Sequence, residues 1–145
     1  MHTSARKTAI GLSLTQTQYA QRLLSAAKFA LNFENEIIVK ENLLIGNQNR
    51  VIRQLNNSVN PARVNALQQQ ALALQASIDR NLTFITAISP PISGALTALE
   101  PFVGAGPGIA GSFFRLQVNA ARDDARAAAI AARPPFVITP ATPVI

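Results

Sequence analysis

Apolar positions along the first part of the chain predict one long helix. Over residues 14–57 they recur at intervals of three, four and seven, a spacing typical of one face of an α-helix. Ser13 or Thr15 would begin it, because each is followed three residues later by a glutamine that completes a capping box. A kink or a short break in this helix is considered at Gly46, because glycine inside a helix lowers its stability by about 1 kcal/mol relative to alanine. The predicted stripe contains Leu23, Ala26, Ala30, Phe33, Ile37, Leu44 and Val51, flanked by Leu24, Ala27, Leu31, Ile38 and Ile45.

A second helix is predicted to begin at Pro61. Asn60 is a suitable N-cap, and proline at the first helical position loses no hydrogen bond there. The apolar positions that follow keep a strict three-four spacing, which is typical of a helix packed along another helix. Residues 14–88 are therefore predicted to form a long antiparallel helical hairpin, and the fold class is all-α. The seam of this hairpin is predicted at Val64, Leu67, Ala71, Leu74, Ile78 and Ile85, with Asn81 as its polar member.

The second half of the chain differs in composition. Residues 89–108 are rich in glycine and proline and are predicted to form an apolar connection, in which Pro90 and Pro91 end the second helix. An alanine-rich third helix is predicted over residues 109–133. Residues 1–133 would then form a single helical domain, followed by an extended, proline-rich arm over residues 134–145. This arm is predicted to pack into a groove on a neighbouring copy or to fold back over its own core, and its apolar contacts are predicted at Phe136, Val137, Ile138, Val144 and Ile145.

The composition favours association and disfavours catalysis. Charged residues make up 14% of the chain, whereas about 25% is typical, so too few charges are present to cover the surface of a lone domain. The chain has no cysteine, and His2 is its one histidine, which excludes histidine-based catalysis and cysteine-ligated metal sites. The first helix also exceeds the second in predicted length, leaving apolar surface for another chain. We therefore predict a homo-oligomer of many copies, without enzymatic activity, cofactor or small-molecule substrate.

Arginines form a regular pattern on the third helix. Their spacing of seven, four and seven places them within about 40° of one another around the helix. Such a stripe can bind carboxylates or phosphates, because guanidinium pairs with both in a bidentate manner, or it can be merely solvated. Glu34 and Glu41, seven residues apart on the first helix, are the predicted acidic counterpart, whereas Asp123 and Asp124 are assigned to a solvated face, with Asp123 pairing to Arg126. The stripe consists of Arg115, Arg122, Arg126 and Arg133.

Residues 81–99 carry no charge and approach the length that spans a bilayer. Pro90 and Pro91 interrupt them, and serine, threonine and asparagine dilute them, so we predict that protein rather than lipid covers this stretch. The apolar run over residues 9–14 is too short for a signal peptide, and no cleaved signal is predicted. An extracellular or cell-surface filament, or a virion, is the favoured location.

The turn with Pro61, followed by Leu67-Gln68 and further glutamines and leucines, resembles the subunits of secretion-needle filaments. Those subunits are also helical hairpins with a proline-containing turn. The similarity covers residues 14–88, and the residues beyond have no counterpart there, so the chain is not assigned to that family. The general build also resembles the helical coat proteins of filamentous viruses, as an analogy of architecture.

Together these features predict a non-enzymatic, self-assembling structural subunit of a filament or shell, packed through apolar helix faces and the C-terminal arm. A nucleic-acid-wrapping coat protein is the alternative. In it the arginine stripe and Arg6-Lys7 neutralise phosphates, in keeping with the net charge of +6 and the pI near 11.2. A small membrane-embedded protein is the third choice.

Overall fold

The computed structural model describes residues 13–105 and 107–138, and these form an all-α fold built on three long helices. Helix α1 spans Leu14–Asn56, α2 spans Pro61–Leu99 and α3 spans Pro107–Ala131. A 3₁₀ helix, Glu100–Ala105, lies between α2 and α3. The fold class predicted from the sequence is therefore confirmed. The residues His2, Arg6, Lys7, Val144 and Ile145 lie outside the described part of the chain.

Helix α1 runs without a break through Gly46. It starts at a capping box in which Ser13 Oγ accepts the backbone N–H of Gln16 at 3.2 Å and Gln16 Oε1 accepts the N–H of Ser13 at 3.0 Å. Gly46 is exposed, and a Cβ atom added there would meet nothing within 4 Å. No packing contact therefore requires glycine at this position.

Helix α2 continues through Pro90 and Pro91, which corrects the prediction that these prolines end it. Both rings are exposed, whereas Ile88 and Ile92 on the inner side pack against the core residue Leu31. These contacts on either side of the prolines stabilise the helix and offset the two backbone hydrogen bonds that proline cannot donate.

The predicted connection over residues 89–108 is consequently wrong. Its first part belongs to α2, and its next part is the 3₁₀ helix. Helix α3 begins at Pro107 and ends at Ala131, rather than spanning residues 109–133.

The helices pack side by side along most of their length. Near the turn, Val51 of α1 packs with Leu67 of α2, whereas at the other end Ala20 packs with Leu99, so α1 and α2 run antiparallel. Helix α3 contacts both of them, and its Phe113 joins the cluster around Ala20.

The lengths of α1 and α2 are similar, which removes one reason for expecting assembly. They contain 43 and 39 residues, or about 65 and 59 Å at 1.5 Å per residue. Because α2 does not end at the prolines, it packs alongside α1 almost as far as the first residues of α1. The expected overhang of α1 beyond α2 is therefore largely absent, although α1 still exposes apolar side chains along its length, among them Phe29, which is 75% exposed, and Leu43, which is 65% exposed.

The buried face of α1 differs from the predicted stripe. Phe33 is 48% exposed and Ala26 is exposed as well. On α2, the predicted seam residues are either buried (Leu67, Ala71, Ile78 and Ile85) or half-buried (Val64 and Leu74). On α1, the predicted Ala27, Leu31, Ile38 and Val51 are buried, and Ala27 continues a seven-residue spacing of buried residues through Ala20, Glu34, Glu41 and Gln48, which the predicted stripe left out.

Candidate functional site

Polar side chains lie in the interior of the bundle, in a row that we call the polar ladder. Three of them occupy successive seven-residue positions of α1, which point at the neighbouring helices throughout. Carboxylates are costly at such positions unless they are paired or protonated. The buried members of the polar ladder are Glu34, Glu41, Gln48, Gln75 and Asp123.

Glu34 and Asp123 form a carboxyl–carboxylate pair between α1 and α3. The pKa of Glu34 is raised to about 7, chiefly by burial, and the hydrogen bond to Asp123 and the charges of Asp123 and Asp124 contribute to this rise. Arg126 Nη1 lies 3.4 Å from Asp123 Oδ1 and donates to Asn35 Oδ1 at 2.9 Å. Protonated Glu34 thus donates to Asp123, while Arg126 balances the remaining negative charge.

Glu41 lies farther along α1 and lacks such a partner. Both of its carboxyl oxygens are buried and make no hydrogen bond with the described residues. The pKa of Glu41 is raised to about 7, chiefly by burial; the charge of Asp79 contributes to the rise, and that of Arg133 opposes it. Glu41 is therefore the member of the polar ladder whose charged form is least compensated.

Two glutamines form the layer nearest the turn. Gln48 Nε2 donates to the backbone oxygen of Ala71 at 3.0 Å and to Gln75 Oε1 at 2.9 Å. Gln75 Nε2 donates to Asp79 Oδ1, and Gln75 Oε1 also accepts the backbone N–H of Phe136, both at 2.9 Å. Gln75 thus connects α1, α2 and the segment that follows α3.

Two members of the arginine stripe, Arg126 and Arg133, form hydrogen bonds within the subunit. Arg126 donates to Asn35, and Arg133 Nη2 donates to Asn49 Oδ1 at 2.9 Å. These two asparagines lie fourteen residues apart, at equivalent seven-residue positions of α1. This part of the stripe therefore lies along the contact between α1 and α3, where it binds side-chain amides of α1.

Asp123 is the acid that the stripe meets, and its assignment to a solvated face is wrong, since it is 1% exposed. Its predicted pairing with Arg126 is present, and Arg122 Nε lies 3.7 Å from the same carboxylate oxygen. Across residues 13–105 and 107–138, no ion pair joins the stripe to Glu34 or Glu41. Helix α3 turns Asp123 inward because that position lies seven residues from the buried Leu116 and Ile130.

The outer side of α3 carries an apolar repeat that the sequence analysis missed. Its members follow one another at intervals of three and four, the spacing that also marks the hairpin seam. All of them are exposed; Phe114 is 53% and Val118 67% exposed. The repeat consists of Gly111, Phe114, Val118, Ala121, Ala125, Ala128 and Ala132.

An uncharged surface of α2 adjoins this repeat across a groove. The groove contains one charged residue, Asp124, which accepts a hydrogen bond from the Ser89 hydroxyl at 3.1 Å. We call the two rows together the charge-poor face; the α3 row is about 30 Å long, the α2 row is about 20 Å long, and the two together measure about 20 Å across. Its exposed α2 residues are Thr83, Thr86, Ala87, Pro90, Ser93, Gly94 and Thr97.

Within the described part of the chain, one helical stretch is long and apolar enough to cross a membrane. Pro61–Gly104 contains a segment with a mean hydropathy of 1.4, of which 17% is buried. Apolar helices of water-soluble proteins meet the same criterion, so length and composition alone do not separate the two classes.

Comparisons with known proteins find no match for this chain. No family model matches it, and neither a curated protein nor a solved structure does. Its function is therefore inferred from the charge-poor face, the segment after α3 and the exposed basic residues.

Proposed function

We propose that this protein is a non-enzymatic structural subunit that assembles with copies of itself into a filament or shell. The observation that carries the proposal is the charge-poor face. Phe114 and Val118 expose large apolar side chains there in regular helical spacing, with small residues on both sides. Large contiguous apolar surfaces on soluble proteins mark interaction sites.

The size of the charge-poor face suits an interface. Its dimensions correspond to about 500 Å² per subunit, or about 1,000 Å² for two subunits, which is the threshold for a specific protein interface. Each chain carries a net charge of +6, so two copies repel each other over most of their surfaces. The two rows that form the charge-poor face contain no lysine or arginine, so contact there places no cation at the centre of the interface.

The C-terminal arm supplies a second contact in this proposal. Phe136 packs against the Val51–Leu67 cluster near the turn, whereas Val137 and Ile138 are exposed. Phe136 would anchor the arm to its own subunit, and the apolar residues after it would extend towards a neighbour. Proline stiffens such an arm and lowers the entropy lost when it docks.

A nucleic-acid-wrapping coat protein remains the alternative proposal. The exposed Arg115 and Arg122 and the positive net charge support it. Arg126 and Arg133 are already bound to asparagines of α1. The stripe therefore offers fewer groups to phosphates than its sequence suggests.

Sedimentation velocity and electron microscopy of the purified full chain test the proposal. We expect a large homo-oligomer with a protein-like ratio of absorbance at about 260 and 280 nm. With one tyrosine and no tryptophan, the protein absorbs little, so enclosed nucleic acid would dominate the spectrum. A 15.4 kDa monomer under all conditions contradicts self-assembly, and recovery only in detergent would favour the membrane-embedded protein.

A double variant separates the two leading proposals. If phosphates are the partner, Arg122→Gln with Arg126→Gln weakens binding to all nucleic-acid sequences alike. The slope of log affinity against log salt then falls in magnitude by nearly one per lost contact. If the stripe serves the subunit itself, the variant loses stability or assembly and keeps whatever nucleic-acid affinity the wild type has.

A further inference from the structure

A cleft of about 180 Å³ opens between α1 and the first half of α3. Its floor is apolar and is made by Leu24, Leu31 and Leu116, the last two of which are buried. Its rim is polar and includes two cations but no acid. The polar residues of the cleft are Ser25, Lys28, Asn32, Ser112, Arg115 and Asn119.

The polar groups of the rim are available to a ligand. Within residues 13–105 and 107–138, neither Lys28 nor Arg115 forms an ion pair. In the same part of the chain, the asparagines and serines of the rim make no side-chain hydrogen bond. Asn35 and Asn49, which also lie between α1 and α3, each accept one from an arginine. Arg115 thus differs from Arg126 and Arg133, the members of the stripe that bind α1.

We propose that this cleft binds a phosphate monoester with a short apolar substituent, a ligand that goes beyond the self-assembly proposed above. The phosphate would lie between Lys28 and Arg115, with the rim amides and hydroxyls donating to its remaining oxygens. Two cations match the charge of a phosphate monoester, which is close to −2 at neutral pH, whereas a carboxylate would neutralise only one of them.

The volume of the cleft limits the apolar part of the ligand. A cavity of about 150 Å³ lined by apolar side chains holds one benzene molecule, and because part of this cleft would hold the phosphate, the leucine floor accommodates a substituent of about four carbon atoms. Contact with that floor distinguishes the ligand from free phosphate, which would meet only the rim.

Butyl phosphate is the probe that tests the proposal. Saturation-transfer-difference NMR on the full chain detects its butyl protons even when the protein is assembled, and a titration at constant ionic strength gives the dissociation constant. We expect saturable binding and no comparable signal from 1-butanol. Lys28→Gln with Arg115→Gln should raise the dissociation constant about tenfold or more, because each substitution removes a charge-assisted hydrogen bond.

A matched control removes the same number of charges elsewhere. Arg53 and Arg80 are exposed and do not line the cleft, so Arg53→Gln with Arg80→Gln should leave the dissociation constant unchanged. Ser25→Leu keeps every charge and narrows the cleft, and it should weaken binding as well. Wild-type affinity in the Lys28/Arg115 variant, an equal loss in the control, or equal binding of 1-butanol would overturn the proposal.

A further experiment distinguishes a lipid headgroup from a soluble molecule as the source of the ester. Phosphatidic acid carries the same phosphate monoester as a small soluble ester. Co-sedimentation with phosphatidylcholine vesicles that contain phosphatidic acid, lost in the Lys28/Arg115 variant, would assign the cleft to a lipid headgroup. Binding of butyl phosphate without vesicle binding would assign it to a soluble ester.

Discussion

Glu41→Gln should stabilise the folded chain at alkaline pH, because Glu41 is a buried acid without a hydrogen-bond partner. Its pKa is about 7 in the folded chain and 4.5 in the reference state. Between those pH values the folded chain retains a proton that the unfolded chain has released. The free energy of unfolding therefore falls as the pH rises from 4.5 to 7, and the stabilisation due to this group is complete only below 4.5.

The magnitude follows from the two pKa values. One pKa unit corresponds to about 1.4 kcal/mol, so the difference for Glu41 corresponds to about 3 kcal/mol. Glutamine has nearly the shape of the protonated acid and cannot ionise. The variant should therefore gain about 3 kcal/mol over the wild type at pH near 8 and differ little from it at pH near 4.5. Glu34 acts in the same direction, so the variant keeps part of the pH dependence.

Urea unfolding followed by circular dichroism between acidic and alkaline pH measures this difference at one fixed protein concentration. Glu36→Gln is the matched control, because Glu36 is exposed on the same helix and a surface substitution changes stability by less than about 0.5 kcal/mol. A wild type whose stability is constant or rises over this pH range would refute the reasoning. So would a Glu41→Gln variant that is less stable than the wild type at alkaline pH.

Three further substitutions test the packing by thermal or urea unfolding. Gly46→Ala should raise stability by about 1 kcal/mol, because Gly46 is helical, exposed and free of close neighbours; a loss would indicate a local break in α1. Ile78→Ala should cost about 2–5 kcal/mol because Ile78 is buried, whereas Gln69→Ala on the exposed side should matter little; equal effects would contradict the seam. Gln75→Ala should cost about 1–3 kcal/mol, since it removes the shared partner of three hydrogen-bonding groups; a neutral result would mean that those bonds add nothing.

The start of each hairpin helix could be predicted from local signals, whereas the end of α2 could not. Ser13 and Asn60 act through hydrogen bonds within a few residues, so the sequence reveals them directly. Pro90 and Pro91 are strong local breaks, and only tertiary contacts of Ile88 and Ile92 with the core outweigh them. Such contacts cannot be read from the sequence around the prolines.

The polar ladder shows a second limit of sequence patterns. Carboxylates are usually assigned to the surface because their burial is costly. The predicted apolar stripe therefore did not include Glu34 and Glu41. The seven-residue spacing through Ala20, Ala27 and Gln48 was the available signal for their burial. The partners that make burial tolerable lie on other helices, so their identity required the structure.

Assembly through the charge-poor face is the central claim, and sedimentation velocity of one variant tests it most directly. Val118→Glu with Ala125→Glu places two charges, seven residues apart, on the outer side of α3. Ala66→Glu with Ala73→Glu adds the same charges at the same spacing on exposed positions of α2 outside that face. We predict that the wild type and the α2 variant sediment as large oligomers and that the α3 variant sediments as a folded monomer of 15.4 kDa. An α3 variant that assembles like the wild type, or a wild type that is itself monomeric, would contradict the claim.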